Sequence, residues 1–292
     1  MTTAKQTKHF THSFMVGLFV LFSLVNCSEE SDSINPCIKV FQPQDTDFRA
    51  YADSHPDSDY YTLFTDAEGA NWAGKSIAIL GGSLASLDES NVTKKLYYQI
   101  LHCSPITTYG HGGWGFATKN GSIQDILQDL QYHDIYILWC STNDYGTGIP
   151  CGEPTDFSET DGLDFTKTST QCGGINLTIK TIREINPNAL IIGFTSLRFF
   201  GKNASREDGY LEDTTKNNGQ GITFHEYVAK QIETFELAKI PYYDQYHCGL
   251  FTVDNYGDYY QEDGFHLTEN GYFLLGCKQV QFFIDLIKQF QQ

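Results

Sequence analysis

Apolar and polar positions alternate in blocks along the chain from about residue 71 onwards. Short continuous apolar runs, which are typical of strands buried on both faces, are each followed by a segment with the helical spacing of apolar residues. The apolar runs predict five strands, at Ser76–Leu80, Pro105–Tyr109, Ile135–Cys140, Leu190–Thr195 and Ile240–Tyr243. The helical patterns predict helices over Asn91–His102, Ser122–Tyr132, Gly174–Ile185, Thr223–Ala238 and Thr268–Phe290.

Alternation of strands and helices predicts an α/β fold. Parallel strands need a crossover between them, and right-handed crossovers place helices on both faces of the sheet. We therefore expect a three-layer α/β/α sandwich with a five-stranded parallel sheet, whose ligands bind beyond the carboxyl ends of the strands. With 292 residues, one domain is the default, and the pattern assigns it residues 71–292.

The first 26 residues predict an export signal rather than a part of the fold. Lys5 and Lys8 precede a twelve-residue apolar run, Phe14–Val25, which is too short to span a bilayer but suits a signal peptide. Residues 27–70 lack a clear period, and we expect a tether followed by a segment that packs on the domain.

Cys27 is the predicted point of membrane attachment. The segment Leu24–Cys27 resembles a bacterial lipobox, whose cysteine becomes the lipidated first residue, although Asn26 departs from the usual small residue. The acidic cluster after it, Ser28–Glu30, resembles the surface-export signal of Bacteroidetes lipoproteins. We expect an exported lipoprotein at the outer membrane or cell surface, or in the periplasm if it is not surface-exposed. Ordinary secretion with a free Cys27 is the alternative.

Charge and cysteine usage limit the partners. A net charge of −17 and a pI near 4.7 repel phosphate backbones and anionic lipid surfaces, which argues against nucleic-acid binding and leaves the lipid anchor as the only expected membrane contact. No Cys-x-x-Cys or His-x-x-x-His spacing supports a zinc site, so no metal is expected. Cys151 and Cys172 flank a polar stretch and are the best candidates for a disulfide. The oligomeric state is left open.

Four segments with candidate chemistry lie at or beyond predicted strand ends. Ser83 follows the first strand, and a strand-to-helix turn exposes a hydroxyl beside free backbone N–H groups. The glycine-dense loop Tyr109–Gly115 follows the second strand, and Asn143 follows the third. Asp263 stands three residues before His266, close enough to orient the imidazole while its other nitrogen faces a serine. Together they predict a serine hydrolase.

This ordered set resembles the SGNH hydrolases, also called GDSL-type esterases, over roughly Trp72–Phe290. The resemblance implies a flavodoxin-like sheet and a triad of Ser83, Asp263 and His266, with an oxyanion hole formed by Ser83, Gly113 and Asn143 and no cofactor. Gly112 is one position from Gly113, and alignment by eye does not separate them. Two positions depart from the family pattern: Gly82 stands where an aspartate is usual, and Ser141 where a glycine is usual.

The expected function is hydrolysis of carboxylic esters, with acetyl groups on carbohydrates as the expected substrate. A lipase or lysophospholipase activity, or a non-catalytic glycan-binding lipoprotein, are the alternatives. Ser83 could instead be a helix cap, His266 a helix-start residue capped by Asp263, and Gly113 a residue that serves only a tight turn. The remaining candidates have structural interpretations. His111, His225 and His247 show no partner at a fixed spacing, and aromatic residues such as Trp114 and Tyr256–Tyr260 are more often core than pocket.

Overall fold

The structure, a computed structural model of the 292-residue chain, describes residues 35–42, 71–157, 168–200 and 222–290, together with Asp53 and Leu63. The predicted signal peptide, Cys27 and most of the predicted tether lie outside the described residues, so those predictions stay predictions. Within the described part of the chain, no helix is both long and apolar enough to cross a membrane.

A mixed sheet of six strands forms the centre of the domain. The strands are β1 (Ile38–Val40), β2 (Ile77–Gly81), β3 (Ile106–Gly110), β4 (Ile135–Trp139), β5 (Leu190–Phe194) and β6 (Tyr242–Tyr243). Their order across the sheet is β1-β3-β2-β4-β5-β6, and the five strands β2 to β6 run parallel to one another. The predicted strands are therefore all present, and the three-layer α/β/α fold is confirmed.

The expected strand count is wrong by one, because β1 adds an antiparallel edge strand. Its residues Ile38 and Val40 pair with Tyr109 and Thr107 of β3. Three residues are too few to show a period of two, and Val40 is 53% exposed, so the strand carries no apolar signal. It lies inside the segment that the sequence predicts to pack on the domain.

Seven α-helices are found in the described residues. They are α1 (Ser83–Ser86), α2 (Asn91–Gln99), α3 (Asn143–Gly146), α4 (Gln171–Ile185), α5 (Phe224–Leu237), α6 (Tyr256–Tyr259) and α7 (Glu269–Phe290). Two 3₁₀ helices cover Asp88–Ser90 and Ile123–Asp129. The second of these occupies the predicted helix over Ser122–Tyr132, where Ser122 and Asp125 form a capping box.

Successive residues of a strand pack into two separate hydrophobic cores, one on each face of the sheet. Ile77 and Ile79 of β2 pack into a cluster that contains Leu96 of α2 and Phe283 of α7. The intervening residues of the same strand pack on the other face, with the 3₁₀ helix over Ile123–Asp129 and with α4. This alternation with a period of two buries both faces of the sheet, which explains why the strands read as continuous apolar runs.

The predicted disulfide between Cys151 and Cys172 is not formed, and both are free, buried thiols. The two residues are nevertheless adjacent, because the N–H of Cys172 donates to the carbonyl of Cys151 at 3.0 Å. The neighbouring Cys172 thiol, together with burial, raises the pKa of Cys151. The disulfide prediction is therefore wrong: the thiols donate instead to the backbone carbonyls of Tyr227 and Lys230.

Strand register brings three of the candidate motifs to one edge of the sheet. Gly81, the last residue of β2, pairs with Gly110 at the end of β3 and with Trp139 at the end of β4. Neighbouring strands lie about 4.8 Å apart. The segments that begin at Gly82, His111 and Cys140 therefore leave the sheet side by side.

Candidate active site

Ser83 lies at the junction between β2 and α1. Gly82 is the N-cap residue of α1 and makes no side-chain cap hydrogen bond, so Ser83 is the first helical residue. The N–H of a first helical residue has no partner within its helix. The Ser83 hydroxyl instead contacts His266, with 2.9 Å between Oγ and Nε2. The interpretation of Ser83 as a helix cap is therefore wrong.

Asp263 and His266 form a pair that extends the contact between His266 and Ser83. Asp263 Oδ2 lies 2.5 Å from His266 Nδ1. The other carboxylate oxygen, Oδ1, accepts hydrogen bonds from the backbone N–H groups of Phe265 at 2.8 Å and His266 at 3.0 Å. The carboxylate thus fixes both the turn that carries the imidazole and the ring itself. Because α7 begins only at Glu269, Asp263 does not cap a helix that starts at His266.

The pKa of Asp263 lies below its ordinary value. Burial raises this pKa, but the backbone N–H groups of His266 and Phe265 and the contact with the imidazole lower it by more. Asp263 is therefore ionised at neutral pH. An ionised Asp263 accepts the Nδ1 proton of a neutral His266, which leaves Nε2 to accept the hydroxyl proton of Ser83. This is the direction of hydrogen bonding that a general base needs.

The glycine loop after β3 contains a tight turn. Trp114 N–H donates to the carbonyl of His111 at 3.1 Å, and Gly113, the third residue of the turn, has a φ of +84°. A turn with positive φ at its third residue requires glycine there. Gly112 carries no such requirement. Among the described residues, the N–H of Gly113 donates to no acceptor.

Asp144, which follows the candidate oxyanion residue Asn143, anchors the rest of this loop. Its carboxylate accepts the N–H of Phe116 at 2.7 Å and the N–H of Ala117 at 3.0 Å. Gly115 leaves room for it, because a Cβ there would lie 2.3 Å from the carboxyl carbon. Burial raises the pKa of Asp144 to about 6, against the opposing effect of the two backbone hydrogen bonds. Sequence reasoning missed this role, although the Asn-Asp dipeptide at a strand end was visible.

Asn143 lies beside the turn that carries Ser83. Its Nδ2 donates to the carbonyl of Trp114 at 2.8 Å, and an amide nitrogen has a second proton to donate. A Cβ on Gly82 would lie 2.4 Å from the Trp114 carbonyl oxygen and 2.6 Å from Asn143 Nδ2. Any side chain at position 82, aspartate included, would disturb this contact.

Ser141 takes part in the same arrangement. Its hydroxyl donates to the Trp114 carbonyl at 3.3 Å and accepts the N–H of Asn143 at the same distance. The two departures from the family pattern therefore meet at one carbonyl group. Gly82 makes room for the Trp114 carbonyl, and Ser141 holds that carbonyl next to Asn143.

A second aspartate–histidine pair contradicts the expectation that His247 has no partner at a fixed spacing. His247 has a partner at a fixed spacing, because Asp244 Oδ2 lies 2.7 Å from its Nδ1. The ring of His225 lies 5.4 Å from that of His247. His111 Nδ1 contacts the carbonyl of Gly112 at 2.7 Å. The spacing of Asp244 and His247 equals that of Asp263 and His266, so this pair could have been found by the same rule.

Aromatic residues near the Asp263–His266 pair are divided between core and surface. Tyr260 is 4% exposed, and Tyr256 stacks on the buried ring of Phe200, so these residues belong mainly to the core. Phe265, between Asp263 and His266, is 38% exposed and stacks on Phe199. Within the described ranges, no group of three acidic, histidine or cysteine side chains could hold a metal ion.

Comparisons with known proteins identify relatives by structure. No protein-family model and no curated protein matches the chain. A structure described as a possible lipase, from Chitinophaga pinensis, covers 73% of this chain and 98% of its own, with a TM-score of 0.54 and 21% sequence identity. A protein from Lactobacillus plantarum covers 73% of this chain and 97% of its own, with a TM-score of 0.59 and 16% identity.

A Bacteroides uniformis protein described as GDSL-like also aligns, over 71% of this chain and 94% of its own, at 12% identity and a TM-score of 0.47. The two higher-scoring matches establish the shared fold. This chain therefore shares the α/β fold of those two structures, and its serine, glycine and asparagine motifs lie at the carboxyl edge of the sheet, with the Asp-x-x-His motif in contact with the serine.

Proposed function

We propose that this protein is a serine esterase that removes acyl groups, chiefly acetyl groups, from carbohydrates. The observation that carries the proposal is the unbroken chain of contacts from Ser83 Oγ to His266 Nε2 and from His266 Nδ1 to Asp263. A protein that only bound glycans would have no need for this arrangement. The chain of contacts therefore favours the enzyme over the non-catalytic alternative.

In the proposed reaction, Ser83 Oγ attacks the ester carbonyl while His266 Nε2 takes its proton. Asp263 holds the imidazole in the required tautomer and stabilises the imidazolium. The imidazolium then gives its proton to the departing alcohol oxygen of the sugar, which leaves an acyl group on Ser83. Water, deprotonated by His266, releases the acid and restores the hydroxyl.

Three donors would stabilise the tetrahedral oxyanion. They are the backbone N–H groups of Ser83 and Gly113 and the amide of Asn143. The Ser83 N–H has no helical partner, and the Gly113 N–H donates to no described acceptor. Asn143 keeps one proton after its bond to the Trp114 carbonyl. Losing one such donor typically costs about 2.7–4 kcal/mol of transition-state stabilisation.

Two features favour a glycan over a lipid ester. Phe265 offers an exposed aromatic face next to His266, and the apolar face of a sugar ring can stack on such a surface. The net charge of −17 opposes approach to an anionic lipid surface. Export and lipidation at Cys27 are part of the same proposal, because an enzyme anchored outside the cell would face soluble or cell-wall polymers.

The substrate class is tested by comparing rates on acetylated xylan or pectin fragments with rates on long-chain lipid esters. We expect faster release of acetate from the glycans by the wild type, and no release by Ser83→Ala. Faster turnover of the lipid esters would overturn the substrate class and leave the hydrolase assignment intact. No turnover of any ester would overturn both.

A further inference from the structure

A cavity of about 480 Å³ lies between the edge strand β1 and the start of α2. Its volume is in the range of small-molecule binding sites. Three lysines, Lys39, Lys94 and Lys95, line it, together with a single carboxylate, that of Asp88. In a protein with 36 acidic and 19 basic residues, three lysines around one cavity are a local reversal of charge.

Lys94 is the central residue of this cavity. It is only 3% exposed, and its Nζ donates to two neutral oxygens, Ser90 Oγ at 3.0 Å and Asn91 Oδ1 at 3.1 Å. An ammonium group has three protons, so one is left over. Among the described residues, no carboxylate lies within salt-bridge distance of Lys94. Burying a charge without a counter-ion is costly.

The pKa of Lys94 reflects this environment. Burial and, to a smaller extent, the nearby Lys39 cation lower it to about 7, against the opposing effect of Asp88. A bound anion would act in the same direction as Asp88 and more strongly, because it could contact the ammonium directly. The site therefore gains stability from an anion in a way that a solvent-exposed lysine would not.

Lys39 brings a second cation to the cavity and connects it to α1, the short helix that begins with Ser83. Lys39 on β1 pairs with Thr108 on β3, and Thr108 also lines the cavity. Lys39 Nζ donates a long hydrogen bond, 3.4 Å, to the carbonyl of Ser86, the last residue of α1. The edge of the cavity thus lies about one helical turn from Ser83.

The remaining lining residues suit a sugar. The amides of Gln42 and Asn91 and the hydroxyl of Thr108 can hydrogen-bond to sugar hydroxyls, and the half-buried ring of Phe41 offers an apolar face. An inorganic anion would use the lysines alone and would leave most of the volume unused.

We propose that this cavity binds one acidic sugar unit, whose carboxylate is held by Lys39 and Lys94 and whose hydroxyls contact the neighbouring amides. The proposal does not rest on the esterase activity, because an unesterified sugar would bind. Ser83→Ala should therefore bind as the wild type does, which separates failure of this proposal from failure of the proposed function.

The proposal is tested by titration calorimetry with D-galacturonate, with uncharged D-galactose and with sulfate. We expect the wild type to bind galacturonate and not galactose. Lys39→Met and Lys94→Met should each weaken galacturonate binding by about tenfold or more, since each removes one charge-assisted hydrogen bond. Lys278→Met, at an exposed position of α7 outside the cavity, is the matched control and should bind like the wild type.

Two results would overturn the proposal. The first is galacturonate affinity that persists in both lining variants, of which Lys39→Met changes only an exposed side chain and should fold normally. The second is sulfate binding as tight as that of galacturonate, which would assign the cavity to an inorganic anion.

Discussion

The molecule contains two Asp-x-x-His pairs with the same local geometry. In each, one carboxylate oxygen accepts the backbone N–H of the histidine and the other lies against its Nδ1, at 2.5 Å for Asp263 and His266 and at 2.7 Å for Asp244 and His247. The side chains are exposed to similar degrees, 30% for His266 and 40% for His247. The local sequence therefore builds the same pair twice.

What differs is the partner of Nε2. His266 contacts Ser83 Oγ, whereas no hydroxyl or thiol in the described ranges lies within hydrogen-bonding distance of His247 Nε2. Asp244 follows β6, at the far edge of the sheet and three strands from β2, a separation of about 14 Å. A spacing can thus predict an oriented histidine, but only the fold decides which histidine faces a nucleophile.

Replacing each histidine by alanine should give the largest difference in activity between the two pairs. His266→Ala removes the proposed general base, and kcat should fall on the order of 10⁶-fold, as triad residues act as a unit. His247→Ala is the matched control and should leave kcat unchanged within about twofold. Steady-state kinetics on one acetyl ester measure both. Equal losses in the two variants would contradict the assignment of the general base.

The aspartates should show the next largest difference. Asp263→Asn should lower kcat on the order of 10⁴-fold, because an amide cannot hold the Nδ1–H tautomer in the same way. Asp244→Asn makes the same chemical change at the same spacing and should have almost no effect on kcat. A substantial loss with Asp244→Asn would show that the second pair also contributes to turnover.

The proposed oxyanion donors accompany Ser83, and with it the first pair rather than the second. Asn143→Ala should lower kcat by roughly 10²–10³-fold with little change in KM, since such a donor acts mainly in the transition state. A change in KM alone would instead assign Asn143 to substrate binding.

The buried carboxyl group of Asp144 should make the free energy of unfolding depend on pH. A carboxyl whose pKa is raised in the folded state, here from 3.8 to about 6, binds its proton more tightly when folded. Between those two values the folded state holds more protons, so the free energy of unfolding contributed by this group falls as the pH rises, by about 3 kcal/mol in total. Urea unfolding at pH 4 and at pH 7 measures this change, and Asp144→Asn should remove it. An equal pH dependence in the variant would contradict the buried titration.

The two glycines of the turn should give the smallest difference. Gly113→Ala places a side chain at a φ of +84°, which costs about 1–2 kcal/mol of stability, whereas Gly112→Ala meets no neighbouring atom and no positive φ. Thermal unfolding and kcat should both respond to Gly113→Ala and not to Gly112→Ala. The reverse order would move the oxyanion assignment to Gly112.

Two features of the sequence allowed correct structural predictions: the apolar runs of the strands and the short motifs at or beyond their ends. The five parallel strands and the candidate residues Ser83, Asn143, Asp263 and His266 could be predicted because most of the strands are buried on both faces and because strand ends meet at one edge. β1 could not, since three half-exposed residues acquire strand structure only by pairing with β3. The role of Asp144 depends on its contacts with Phe116 and Ala117, which lie 28 and 27 residues earlier, and no local pattern encodes such contacts.

The departures at Gly82 and Ser141 illustrate the same limit. As isolated positions they weaken the resemblance to the family pattern. In the structure both lie against the Trp114 carbonyl: the lack of a side chain at Gly82 leaves room for this carbonyl, and the Ser141 hydroxyl donates a hydrogen bond to it. Only the three-dimensional contact shows that these positions act together.

The most direct test of the central claim is the site of covalent labelling by a fluorophosphonate probe, mapped by mass spectrometry. We expect the wild type and Asp244→Asn to carry the adduct on Ser83, Asp263→Asn to react much more slowly, and Ser83→Ala to remain unlabelled. An adduct on another residue, or equal labelling of Ser83→Ala, would contradict the claim that Ser83 is the nucleophile that the Asp263–His266 pair activates.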